Sequence, residues 1–221
     1  MKEVDRAALV ADWLPRYTGM PLAEFGPFVL LTNFHNYIEK FSLSTKSTIY
    51  GEGGPMQACT SPSGITMINY GIGSPNAATI MDLLSAVSPQ AVLFLGKCGG
   101  LKKDVEVGDV VLPIAAIRGE GTGLDYYPIE VPALPSFRLH ALLAEEIKKR
   151  DVEYWTGVVY TTNRRVWEWD EQFKQYLRRI SAHGIDMETA TLFLVGHFND
   201  IPRGALLLVS DTPMTPEGIK T

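Results

Sequence analysis

"GALLLVSDTPM", residues 204–214, is an unbroken apolar run that stops at Ser210-Asp211 and turns through Thr212 and Pro213. Near-continuous apolarity, in place of alternation, is the pattern of a strand covered on both faces. A carboxylate at the end of such a strand has two readings. Either it starts a turn or caps a helix, or it stands where open α/β sheets keep their chemistry. Runs of the same kind, each closed by turn residues, recur at "PFVLLTN" (27–33), "GITMINYG" (64–71), "AVLFLGKCGG" (91–100), "GDVVLPIAAI" (108–117) and "TGVVYTT" (156–162).

Helical patterns lie between these runs. "SPNAATIMDLLSAV" (74–87) offers Ser74 as N-cap and Pro75 at the first helical position. Its Ala77, Ile80, Met81, Leu84 and Val87 share one face. "SFRLHALLAEEIKKRD" (136–151) turns Leu139, Leu142, Leu143 and Ile147 inward and ends in basic residues that suit the helix dipole. "DEQFKQYLRRISA" (170–182) and "METATLFLVGHFND" (187–200) read as two more helices. Strands alternating with helices predict an α/β fold with a largely parallel, doubly covered sheet. The stretch 118–135 reads as a long excursion loop, a kind of segment that often carries function.

Composition narrows the class. The 221 residues are 46% hydrophobic and 20% charged, ordinary for a globular chain with a sizeable core. A net charge of −5 without a basic cluster argues against nucleic acid or a membrane surface as partner. The apolar runs are strand-sized, so none is long enough to span a bilayer. The first twenty residues have no apolar core of the signal-peptide kind. Cys59 and Cys98 form neither a metal-ligand spacing nor a disulfide framework, which predicts a reducing, cytoplasmic setting and no metal. The whole chain reads as a single domain with residues 1–25 peripheral. Its end, "EGIKT", is loop-like, so a C-terminal helix is expected beyond it.

Four stretches could carry chemistry. In "FLGKCGGL" (94–101) the glycines Gly96 and Gly99 would let backbone N–H groups approach an anion beside Lys97, or simply make a tight turn. In "GIDMETATLF" (184–193) Asp186 and Glu188 either complement a helix dipole or hold two sugar hydroxyls. In "TTNRRVWEWDEQF" (161–173) Arg164 and Arg165, beside Trp167, either meet a phosphate and a flat ring or are solvated around packed aromatics. Asp211 in the opening stretch can protonate a leaving group only where burial or a second acid raises its pKa. Of the four histidines only His35, after the first strand, is a candidate to face a ligand, and none belongs to a metal motif.

Taken in order, "LGKCGGL", "GDVVLP", "GIDMETATLF" and "LLLVSDTPM" resemble the signature series of the purine nucleoside phosphorylase/nucleosidase superfamily, from about residue 26 onward. "VVYTTNRRVWE" with "CGGLK" is similar to the AMP nucleosidases within it. The resemblance implies a three-layer α/β/α fold with a mixed, partly closed central sheet, assembled as hexamers. It also implies hydrolysis of AMP to adenine and ribose 5-phosphate without a cofactor or catalytic metal. By position, Asp211 would act on purine N7 with Ser210 beside it, Glu188 would hold the ribose hydroxyls and Met187 would lie beneath the sugar. Two departures from the phosphorylases stand out. An apolar Phe94 occupies the place of their phosphate-binding arginine, and Lys97 that of a Ser or Thr hydroxyl. Lys97, Arg164 and Arg165 remain for the substrate's own 5′-phosphate, with Arg165 preferred over Arg164. Orthophosphate as nucleophile, or a catalytically silent nucleotide-binding homologue, stays open as an alternative.

Overall fold

A computed structural model describes residues 5–219; residues 1–4, and Lys220 and Thr221 of the "EGIKT" end, lie outside the described residues. All six apolar runs are strands. They are β1 (Phe28–Thr32), β3 (Ile65–Asn69), β4 (Ala91–Gly100), β5 (Val110–Gly119), β6 (Tyr154–Thr162) and β8 (Arg203–Asp211). Two short strands join them, β2 (Gln57–Thr60) and β7 (Gly184–Asp186). With four and three residues, neither has enough chain to show a pattern of its own. The helices are α1 (Arg6–Thr18), α2 (His35–Thr45), α3 (Ser74–Leu83), α4 (Phe137–Lys149), α5 (Glu171–Arg179) and α6 (Thr189–Phe198).

The eight strands form one sheet in the order β2-β3-β1-β4-β7-β6-β5-β8. Because β8 also pairs with β4, the strands β4, β7, β6, β5 and β8 close into a five-stranded barrel. The sheet is mixed where the alternation of elements predicts a largely parallel one. β4 is parallel to β1 and β8 but antiparallel to β7, and β5 is parallel to β6 but antiparallel to β8. Closure is the reason: the short β7 admits the β5–β6 pair to the ring in the opposite sense.

Coverage of both faces explains the continuous apolarity. On β1, Val29 and Leu31 enter the large core that also holds Leu14 of α1, Ile80 of α3 and Phe193 of α6. Leu30, between them, packs with Ile38 of α2, Cys59 and Met67 on the other face. Helices therefore cover both sides of the sheet, a three-layer α/β/α arrangement. Residues 189–196 of α6 are all buried, the expected state of a helix that is apolar on every side.

Three local expectations change. Gly73, at φ 97°, caps α3 in place of Ser74, whose hydroxyl donates instead to the Met187 carbonyl at 2.7 Å. On α4 only Ile147 is buried; Leu139 and Leu143 press on Gly204, and Leu142 is half exposed. The 118–135 stretch, expected as an excursion loop, begins on the last two residues of β5 and is tied down along its length. Arg118 donates to the carbonyls of Tyr127, Pro128 and Val131, Tyr126 donates to Asp82 of α3 at 2.7 Å, and Tyr127 stacks on His197 of α6.

Candidate active site

A cavity of about 270 Å³ opens where β1, β4, β6, β7 and β8 end. Each strand end brings one of the singled-out stretches to its wall. β4 brings Lys97, Cys98 and Gly99; the β7–α6 junction brings Asp186, Met187 and Glu188; β8 brings Ser210 and Asp211. The segment after β6 adds Arg164, Arg165, Trp167 and Glu168, and the end of β1 adds Asn33 and Phe34.

Glu188 is 2% exposed. Its Oε1 accepts from the Gly73 N–H at 2.8 Å and its Oε2 from the Met187 N–H at 3.2 Å. Burial, and then the neighbouring Asp186 carboxylate, push its carboxyl up to about 7. Asp186 is buried as well, which raises it too, but its oxygens are spoken for. Thr161 donates to Oδ1 at 2.7 Å, while the Thr189 N–H (2.9 Å) and hydroxyl both donate to Oδ2. Thr161 Oγ1 in turn accepts from the Ala190 N–H at 2.9 Å. Of the two acids, Asp186 ties the first turn of α6 to the sheet, the dipole-complementing role. Glu188, which Asn33 also contacts, lines the cavity without being bound into the first turn of α6.

Asp211 is half-buried, not enclosed among apolar side chains. The Ser210 hydroxyl donates to its Oδ1 at 2.6 Å. That bond directs Oδ2 as the oxygen with capacity to engage a ligand.

The glycine-rich stretch is not a phosphate-cradling loop. Residues 94–100 all belong to β4, whose Gly99 and Gly100 pair with Ile185 and Gly184 of β7. A bulge falls between Cys98 and Gly99, a common device beside active sites. Gly99 is needed for closeness: a Cβ there would sit 2.9 Å from Pro213, in the turn after Asp211. Gly96 faces inward, where a Cβ would strike the Phe94 ring, and it does not line the cavity. Phe94 is buried against Tyr70, ring centroids 6.0 Å apart, and offers nothing to a ligand.

The cations are all engaged. Lys97 places its Nζ 4.3 Å from the centroid of Phe34 and 5.7 Å from that of Tyr37. Arg164 pairs with Asp170 at 2.9 Å and Arg165 with Glu168 at 3.2 Å. Trp167 is 4% exposed and packs edge-on to Phe173, so it anchors the segment and presents only part of its surface to the cavity. Trp169, by contrast, is 74% exposed. His35 lies outside the wall. Its Nδ1 is 2.9 Å from Gln57 Oε1 and its Nε2 is 3.1 Å from Glu39 of its own helix. The neighbour Phe34 takes the cavity position instead, with Asn33, Ile72, Thr162 and Glu168 as further lining residues. Thr162 and Glu168 belong to the 161–173 stretch already singled out, whereas Asn33, Phe34 and Ile72 carry no signal beyond standing at the ends of apolar runs.

Among the described residues no cluster of His, Cys, Asp and Glu could hold a metal ion, and no helix is long and apolar enough to cross a membrane.

The family model of the phosphorylase superfamily matches residues 18–219, and the chain belongs to that superfamily. AMP nucleosidase of Escherichia coli (strain K12) is 30% identical over 252 residues, an alignment covering 92% of this chain and 51% of that protein. This chain thus spans about half the length of the curated relatives it matches there. The crystal structure of AMP nucleosidase from Bacteroides thetaiotaomicron VPI-5482 superposes with a TM-score of 0.91 at 55% identity, covering 96% of this chain and 90% of that one. A uridine phosphorylase structure from Vibrio fischeri ES114 shares the fold at a TM-score of 0.81 and 22% identity, over 88% and 82% of the two chains.

Proposed function

We propose that this cavity cleaves the N-glycosidic bond of AMP with water, releasing adenine and ribose 5-phosphate. The observation that carries the reading is the convergence of Glu188, Ser210-Asp211 and three cations on one cavity wall. The likeness to an AMP nucleosidase structure at 55% identity supports the same substrate.

The chemistry follows from the groups present. Glu188 accepts from the ribose 2′ and 3′ hydroxyls while Met187 lies under the sugar. Arg165, with Arg164 and Lys97, takes the 5′-phosphate by charge-assisted hydrogen bonds. With Oδ1 occupied by Ser210, Asp211 turns Oδ2 to purine N7, and the bound base completes the burial of this half-buried carboxyl that proton delivery to N7 requires. The C1′–N9 bond then breaks with its electron pair going to the protonated base, and the sugar gains oxocarbenium character. Water adds to C1′, and the proton it sheds restores the acid. General acid help of this kind contributes about 10²–10⁴-fold. Orientation of sugar and water supplies much of the rest.

The buried Phe94 favours water over orthophosphate, since it offers no guanidinium to a free phosphate ion. A homohexamer, working in the cytoplasm, is the assembly this reading carries; light scattering tests its size. The deciding experiment follows free base from AMP and from adenosine, with and without orthophosphate. Adenine from AMP without orthophosphate is expected. Release from adenosine that depends on orthophosphate overturns the reading in favour of a phosphorylase. Binding of AMP without turnover overturns it in favour of a silent nucleotide binder.

A further inference from the structure

We propose that Glu168 is a built-in counter-anion of Arg165, displaced by the phosphate of an incoming phosphomonoester, and thereby a specificity-determining residue of the cavity. The inference rests on the nucleotide-cleaving reading of the site given above.

The segment after β6 carries two arginines and two acids that cancel one another: Arg164 with Asp170, and Arg165 with Glu168. Only one of these acids, Glu168, lines the cavity. Its carboxylate is the fixed member of its pair. Oε2 accepts the Trp167 N–H at 2.9 Å, Trp167 is locked against Phe173, and the Glu168 side chain is 15% exposed. The Arg165 side chain is 62% exposed and touches Oε1 through one nitrogen at 3.2 Å. A partly exposed, single-contact ion pair is weak and screened by salt. A phosphate offers a guanidinium two parallel, charge-assisted bonds in its place. The guanidinium therefore moves and the carboxylate stays. A neutral nucleoside brings nothing to displace Glu168, and an anion too weak to capture Arg165 meets a fixed negative charge on the wall. This is selectivity by a repulsive group.

The test uses the full chain with Glu168→Gln. Titrations with inorganic phosphate and with ribose 5-phosphate are read by tryptophan fluorescence, beside KM for AMP and for adenosine. Both anions are expected to bind about two- to five-fold more tightly, the range an exposed ion pair is worth. KM for AMP falls in step, adenosine does not move, and the gain vanishes in the Arg165→Gln background. Unchanged or weaker anion binding overturns the proposal, as does an equal change for adenosine. Should the variant not fold, a crystal structure of the wild-type protein with ribose 5-phosphate decides: the Arg165–Glu168 pair opens beyond about 4 Å, or the proposal fails. Wild-type protein that cleaves neither AMP nor adenosine sinks the catalytic reading alone, because the anion titrations still report on Glu168.

Discussion

Two carboxylates of the cavity, Glu188 and Asp211, show how placement divides labour between like groups. Glu188 is buried beside another acid and holds its proton up to about pH 7, whereas an unfolded chain releases it near the ordinary value of 4.5. The folded state thus binds an extra proton between those values. Its stabilising contribution is complete below about pH 4.5 and is lost as pH rises through 7. Glu188→Gln should flatten the fall in Tm across that window, with any remaining slope in the same direction belonging to Asp186. An unchanged Tm–pH slope would show that Glu188 does not hold the proton. Asp211 is positioned by Ser210 and only half-buried. Asp211→Asn keeps the shape and the Ser210 contact but cannot give up a proton. Its kcat should drop about 10²–10⁴-fold while AMP affinity, measured by calorimetry, changes little. A comparable loss of affinity would mean that Asp211 serves mainly to bind the base.

At the scale of elements, the site depends on how α6 is fastened to the barrel. Thr161 on β6 donates to Asp186 on β7 and accepts from Ala190 on α6, so one hydroxyl links three elements. Thr161→Val keeps the side-chain volume and removes both bonds. It should cost about 1–3 kcal/mol, read from the urea midpoint, because a buried carboxylate loses a donor. Activity should fall further than stability implies, since Met187 and Glu188 sit between the two fastened points. Equal urea midpoints for variant and wild type would rule out this fastening role. Gly99 acts at the same scale. Its missing Cβ is what lets Pro213 close against β4 and aims the Asp211 turn at the cavity. Of the "LGKCGGL" residues, Gly96 serves backbone packing away from the cavity, whereas Lys97, Cys98 and Gly99 line it.

Across the whole molecule, helices pack on both faces of the sheet that carries the barrel. α1 contributes to this although its segment reads as peripheral, for Leu14 and Met20 are fully buried in the main core. Leu14→Ala, some distance along the chain from every cavity residue, should cost about 2–5 kcal/mol in chemical denaturation and leave KM for AMP intact. A stability loss well under 1 kcal/mol would mean that α1 is only loosely docked. The sequence by itself determined the six long strands, the four helices between 74 and 200, and the stretches that end at the cavity. Burial on two faces writes itself into consecutive residues, and strand ends are marked by turn chemistry. Periodicity alone read the sheet as largely parallel, because β2 and β7 are too short to leave a trace. The resemblance carried by the ordered motifs already implied a mixed, partly closed sheet, and the tertiary structure decided which strands close it. It tied up Asp186 and left Glu188, which the resemblance had singled out, at the cavity; it put Phe34 where His35 was expected, and paired Arg164 and Arg165 with acids. Those outcomes turn on which side chains the folded backbone brings together, across elements for Asp186 and within one turn for Arg165 and Glu168, and residue order carries no record of that geometry.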